Sequence, residues 1–206
     1  MDRALQISRA LTRLMAIVGG VILLILAGVI CFEVIARKLF AFSTRATEEY
    51  SGYGLAICLS WSIAFTLLER AHVRIDFLYR KAARPLAIAM DLTALLAILA
   101  AIGLMAVNAF TVFLFNLEFL SRSNSTLQTP LWIPQLIWLF GFAVFICVAL
   151  VLLAAVLRRI LQKDQAAVQA LIGPRGLDDE IKDDLTASGL AREDASRDKS
   201  SLETAR

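Results

Sequence analysis

Histidine is almost missing from this chain: His72 is the one imidazole in 206 residues. A single imidazole excludes a bis-histidine haem pair and the paired histidines of an HExxH zinc site. Cysteine is nearly as scarce. Cys31, Cys58 and Cys147 lie in three different apolar runs, and none has a CxxC neighbour. That spacing offers no metal knuckle and no redox pair, so the three thiols are expected to pack as small apolar residues. No glycine-rich phosphate loop is present. His72 could form a catalytic pair with a serine on paper, but its loop fixes no serine beside it. Proline is also rare, with Pro85, Pro130 and Pro134 at expected helix starts and Pro174 after Gly173 at an expected break. These scarcities argue against an enzyme and leave no cofactor or metal to expect.

What the chain has in abundance is apolar surface. It is 59% hydrophobic with a mean hydropathy of +0.71, whereas soluble chains sit near 45–50% apolar. Four apolar runs are long enough to be membrane-spanning helices. They predict spans at about 14–36, 50–68, 86–107 and 135–157, within a membrane domain of residues 14–163. The fold class is therefore an all-α membrane protein with four transmembrane helices. Residues 1–13 alternate Arg3, Arg9 and Arg13 with Leu5 and Leu11, which predicts an N-terminal interfacial helix. The stretch after it is too long for a signal-peptide core and has no small-residue cleavage site, so it reads as a retained first span.

The third helical stretch, Leu86 to about Leu120, is unusually long. Thirty-five residues at about 1.5 Å each exceed 50 Å, against a hydrocarbon core near 30 Å. Such a helix has to tilt, bend or run on along the interface. Residues 164–206 differ again: 6 Lys/Arg stand against 10 Asp/Glu, whereas residues 1–163 hold 15 against 8. That acidic tail, poor in large apolar residues, predicts a mostly disordered cytoplasmic segment. The basic excess of the membrane part suits anionic lipid. It does not suit nucleic acid, because the basic residues are scattered and lack interleaved stacking aromatics.

A few polar residues stand out against this background. Glu33 is a carboxylate inside the first apolar run, a position that can mark an ion or proton path. It is also four residues before Arg37, the spacing of a helix-surface ion pair. Glu48 and Glu49 open the second span, where the helix dipole favours carboxylates; pairing with Arg37 or with a partner chain is the alternative. Gly54, Cys58, Ser62 and Thr66 recur every four residues along the second span. Small residues on one helix face let another helix approach closely, either within this chain or from a second protein. Between spans two and three lies an island of mixed charge, with Glu69, Arg70, His72, Arg74 and Asp76. A basic turn would satisfy topology alone. The interspersed acids suggest a hydrogen-bonded corner that fixes the angle between the two spans.

The ordered set of motifs resembles the small membrane subunit of tripartite ATP-independent periplasmic (TRAP) transporters, the DctQ-like family. Glu33-Val34-Ile35-Ala36-Arg37-Lys38-Leu39-Phe40 ends the first span, and Thr47-Glu48-Glu49-Tyr50 opens the second. Glu69-Arg70-Ala71-His72-Val73-Arg74-Ile75-Asp76 follows it. Ser125-Thr126 and Pro130-Leu131-Trp132-Ile133-Pro134 precede the fourth. The similarity covers about residues 14–157, and His72-Val73-Arg74-Ile75-Asp76 is its most specific element. It implies a non-enzymatic, scaffold-like subunit of a sodium-coupled importer of organic acids, such as C4-dicarboxylates, in the bacterial inner membrane. It also implies two partners: a large permease subunit that carries the substrate and sodium sites, and a periplasmic substrate-binding protein. Membrane lipids surround the assembly. Arg37, Glu49, Arg70, His72, Arg74 and Asp76 are then expected at structural or partner-contacting positions, together with Pro130, Trp132 and Pro134.

Two other readings compete with that one. The chain could be an independent four-helix, proton-coupled transporter using Glu33, or an adaptor that works through its acidic tail. Orientation follows from Lys/Arg in the short loops. The N-terminus, the island and the stretch after the fourth span hold 11, against 4 in the other two loops. Both termini are therefore expected in the cytoplasm. Reporter fusions give the test: a fusion after Ser123 should read external and one after Gln162 internal, and the reverse pattern would overturn this orientation.

Overall fold

The computed structural model describes residues 2–40, 47–69, 84–125, 127–162 and 171. Four helices account for nearly all of them: α1 (Asp2–Phe40), α2 (Thr47–Leu68), α3 (Arg84–Glu118) and α4 (Trp132–Leu161). Each is long and apolar enough to cross a membrane. Among the described residues there is no strand, only an isolated antiparallel bridge between Arg122 and Pro130. The expected all-helical membrane fold is thus the observed one. Apart from Leu171, the acidic tail expected over 164–206 lies outside the described residues.

The helix ends follow local chemistry. Nothing in α1 breaks a helix, since it contains no proline, and the expected lead-in and first span form one helix of 39 residues. Leu5, Thr12 and Met15 are buried on one side of its first turns, so the lead-in is packed against the rest of the chain. Helix α4 starts at Trp132, earlier than expected, because Pro134 falls in its first turn, where a missing N–H costs nothing. It runs to Leu161 and carries Arg158 and Arg159 in its last turn, where cations complement the helix dipole. Helix α3 closes with a left-handed residue. Leu120 has φ 47°, its N–H donates to the Leu117 carbonyl, and the Ser121 N–H reaches the Asn116 carbonyl. This is the hydrogen-bond pattern that usually recruits glycine.

The helices pack as a row. Helix α1 lies on α2, α2 on α4 and α4 on α3, with only slight contact between α1 and α4. Helix α2 can serve two neighbours because it carries small residues on two faces. Towards α1, the Cys58 thiol donates to the Gly19 carbonyl at 3.1 Å. The Ser62 hydroxyl lies 3.5 Å from where a Gly19 Cβ would stand, and Gly54 makes room for the Leu26 side chain. Gly54, Cys58 and Ser62 of the four-residue stripe therefore pack inside the chain, while the Thr66 hydroxyl donates to its own helix at Ile63.

The opposite face of α2 presents Ser60, Ala64 and Leu67, all buried, towards α4. There Gly141 faces Ser60, and a Cβ on Gly141 would fall 2.8 Å from the Ser60 carbonyl carbon. Beyond this contact, Phe145, Ala149 and Val156 of α4 are fully enclosed, joined by Leu95, Ile102 and Ala109 of α3. Leu95, Ile102 and Ala109 are seven residues apart and so form one seam along α3.

The close approach of α2 and α4 yields a prediction. Gly141→Ala forces the two helices apart and should cost about 1–3 kcal/mol. Gly20→Ala meets nothing within 4 Å and should cost nothing. Thermal or SDS unfolding in detergent micelles separates the two variants; equal midpoints would remove the close-approach account.

Candidate functional site

Polar side chains gather at the end of the row where α1 meets α2. Glu33 lies less than two turns before the end of α1 and is 4% exposed. Arg37, one turn later, donates from Nη2 to Glu33 Oε1 at 3.2 Å. The Thr47 hydroxyl at the start of α2 donates to Oε2 at 3.4 Å. Burying a carboxylate is costly unless it is paired and hydrogen-bonded. Here the cation supplies charge, and the hydroxyl ties the carboxylate to the next helix. The Arg37 side chain stays 54% exposed, so the pair sits at a boundary with one member reaching outwards. Such placement is tolerated near a span's end.

Glu48 and Glu49 occupy the first turn of α2, where the helix dipole favours them. They differ in surroundings. Glu48 is exposed, and its backbone carbonyl accepts from the Ser51 hydroxyl. Glu49 turns inwards. Its Oε1 accepts from the Tyr53 hydroxyl at 2.9 Å, and its Oε2 accepts from the Ser125 hydroxyl. Glu49 thus uses hydroxyl partners, and its alternative pairing with Arg37 is not formed.

Ser125 belongs to the connection between α3 and α4, which is built to present it. The Ser123 N–H donates to the Thr129 carbonyl at 2.9 Å and the Leu131 N–H to the Ser121 carbonyl at 3.1 Å, so the two arms form a short ladder. The tip closes with Gln128, at φ 47°, whose N–H donates to the Ser125 carbonyl. Ser125 Oγ also accepts from the Leu127 N–H. One hydroxyl therefore closes its own turn and pins that turn to α2. Pro130 ends the ladder and accepts from the Ile133 N–H. Trp132 and Pro134 lie in the first turn of α4. A second cross-link lies deeper, where Trp61 Nε1 donates to the Ile137 carbonyl of α4 at 3.1 Å. The Trp61 ring meets Phe140 edge-on at 6.1 Å.

The sequence-based candidates thus divide. Glu33, Arg37, Glu49, Pro130, Trp132 and Pro134 lie in or beside this end of the row, and Glu48 flanks it. Arg70, His72, Arg74 and Asp76 lie outside the described residues. Tyr53, Ser123, Thr129 and Trp61 were not among the candidates. Tyr53 was within reach of a sequence argument, standing one turn after Glu49. Two more polar groups are enclosed: Asp91, buried in α3, and Gln135 Oε1, which has no hydrogen-bond partner. A lone carboxylate inside the third apolar run was the available signal for Asp91. Among the described residues no group of three His, Cys, Asp or Glu side chains is placed to hold a metal ion. The arrangement ties helices together.

The family model described as "Tripartite ATP-independent periplasmic transporters, DctQ component" matches residues 26–161. That range includes every hydrogen bond just described and all of α2, α3 and α4. No curated protein and no solved structure matches the chain.

The Glu49–Ser125 link can be tested by a double-mutant cycle. Glu49→Ala and Ser125→Ala should each speed proteolytic cleavage within residues 121–131 several-fold, and the double variant should be no faster than either single one. Additive effects would show that the two side chains act separately.

Proposed function

The chain belongs to the family of DctQ components of TRAP transporters, and we propose that it serves there as a rigid brace against which a large transport subunit moves. Membership makes it the small membrane subunit of a transporter, a multi-pass protein of the inner membrane. Components of this family work with a large membrane component and a periplasmic binding protein. The finer reading is that this chain pairs with its large partner along the membrane and holds no substrate itself. The substrate in that reading is an organic acid such as a C4-dicarboxylate, taken up with sodium, and both termini face the cytoplasm.

The observation that carries this reading is the row of helices. A row leaves long apolar flanks open at both edges: on α1, Leu24, Phe32 and Val34 are 75%, 68% and 60% exposed, and on α3, Leu104 and Val107 are 67% and 64% exposed. Lipid or a large partner can cover such flanks. The polar links support stiffness. Hydroxyls fasten α1 to α2, through Thr47 on Glu33, and α2 to the α3–α4 connection, through Ser125 on Glu49, while small residues bring the helices close at Gly19 and Gly141. Asn108 and Thr111, in the exposed half of α3, bond back to their own helix, as expected of a wall and not of a polar path.

The proton-coupled alternative rests on the burial of Glu33. Its partners, Arg37 and Thr47, favour a structural role near the end of α1 over a carboxylate that gains and loses a proton during transport. Two measurements decide. An affinity tag on this chain should bring down a larger, many-spanning membrane protein from mildly solubilised membranes. Cells carrying Glu33→Gln should keep more than half of wild-type organic-acid uptake. Uptake abolished by Glu33→Gln in a complex that still assembles would favour the proton-coupled reading.

A further inference from the structure

We propose that the first turns of α1 hold an anionic phospholipid, with Arg9 and Arg13 binding its phosphate and the flank below them taking its acyl chains. This inference rests on membrane placement alone and does not require the brace reading. Helix α1 is one helix of 39 residues, roughly 58 Å long at about 1.5 Å per residue. The hydrocarbon core is about 30 Å thick, and the headgroup layers bring the total to about 40–45 Å. The other end of α1 is marked by Arg37 and Lys38. Counting back about 20 residues from there brings the opposite edge of the hydrocarbon to the region of Ile17. Arg13 and Arg9 are one and two turns beyond it, at headgroup depth.

The segment is held upright. Leu5, Thr12 and Met15 are buried, and Leu5 and Met15 belong to the same apolar core as Ala64, Leu152 and Val156. The Thr12 hydroxyl, fully enclosed, donates to the Ser8 carbonyl at 2.9 Å. The buried positions 5, 12 and 19 are seven residues apart and define the inner face. Arg9, Arg13 and Ile17 follow one another at intervals of four, and Leu24 lies seven residues further, so they share a different flank. Arg9 and Arg13 are exposed. Ile17 and Leu24 are 56% and 75% exposed. Two guanidinium groups above an open apolar strip match the shape and charge of a phospholipid. Guanidinium groups bind phosphate oxygens through paired N–H donors. A free phosphate ion would use the two arginines but gain nothing from Ile17 and Leu24.

The test is native mass spectrometry of the full chain in detergent, titrated with phosphatidylglycerol, phosphatidylcholine or inorganic phosphate. Each basic residue near an anionic surface favours binding about fivefold. Phosphatidylglycerol adducts should therefore weaken about thirtyfold in Arg9→Ala/Arg13→Ala. They should persist largely in Arg9→Lys/Arg13→Lys and stay unchanged in Arg122→Ala, in the α3–α4 connection. Circular dichroism checks that the alanine variant keeps its helix; if it does not, Arg9→Gln/Arg13→Gln is read in its place. Three results would each overturn the proposal. One is phosphatidylcholine binding as tightly as phosphatidylglycerol. Another is a charge-free variant that binds phosphatidylglycerol undiminished. The third is displacement of the lipid by millimolar phosphate, which would assign the arginines to a free anion.

Discussion

Helix α2 has to lie close to two neighbours at once, and the rest of the arrangement depends on how it does so. Inside a bilayer the hydrophobic effect does not drive helices together, because lipid tails are as apolar as leucine. Close packing and hydrogen bonds must supply the attraction. Helix α2 provides for one neighbour with Gly54, Cys58 and Ser62, and for the other with Ser60, Ala64 and Leu67. The partners answer with glycines, Gly19 on α1 and Gly141 on α4. Remove either close approach and the polar links at the end of the row lose the geometry that aligns them.

Those links have a common form. Each is a carboxylate near a helix end that accepts from a hydroxyl on a neighbouring segment: Glu33 from Thr47, Glu49 from Ser125. A hydroxyl donor satisfies part of a carboxylate without adding a second charge that must itself be kept solvated. Only Glu33, the more enclosed of the two, also takes a cation, and that cation remains half in the open. This economy fits a membrane boundary, where full ion pairs are expensive to bury and loose carboxylates are equally so.

Much of this was legible in the sequence where the bilayer dictates it. Apolar runs of the right length had to be helices, because a chain in hydrocarbon must satisfy its own backbone. The Glu33–Arg37 spacing could be read directly, because i,i+4 is a property of one helix. The neighbour order of the helices could not be read, since small-residue stripes say that something approaches closely but not what. Nor could the Glu49–Ser125 contact, which joins residues 76 apart. The end of the third helix near Leu120 was legible from the length of its apolar run, but the left-handed turn that closes it was not, because leucine stands where glycine would have announced it. The most specific motif of the family resemblance, around His72, lies outside the described residues; the family match over 26–161 stands on the whole stretch.

The row also has a consequence for loop closure. Two of its three seams, α1 with α2 and α3 with α4, join helices that are neighbours along the chain, so each closes through a short connection. Only the α2–α4 seam reaches across an intervening helix, and only that seam carries the entropy of closing a long loop. It also has a tighter backbone approach, at Ser60 and Gly141, than the α1–α2 seam has at Gly19 and Cys58, and it carries the indole bond from Trp61 to Ile137. Two local hairpins are thus joined by one long-range contact. The specificity of the whole arrangement is concentrated in a few residues midway along two helices.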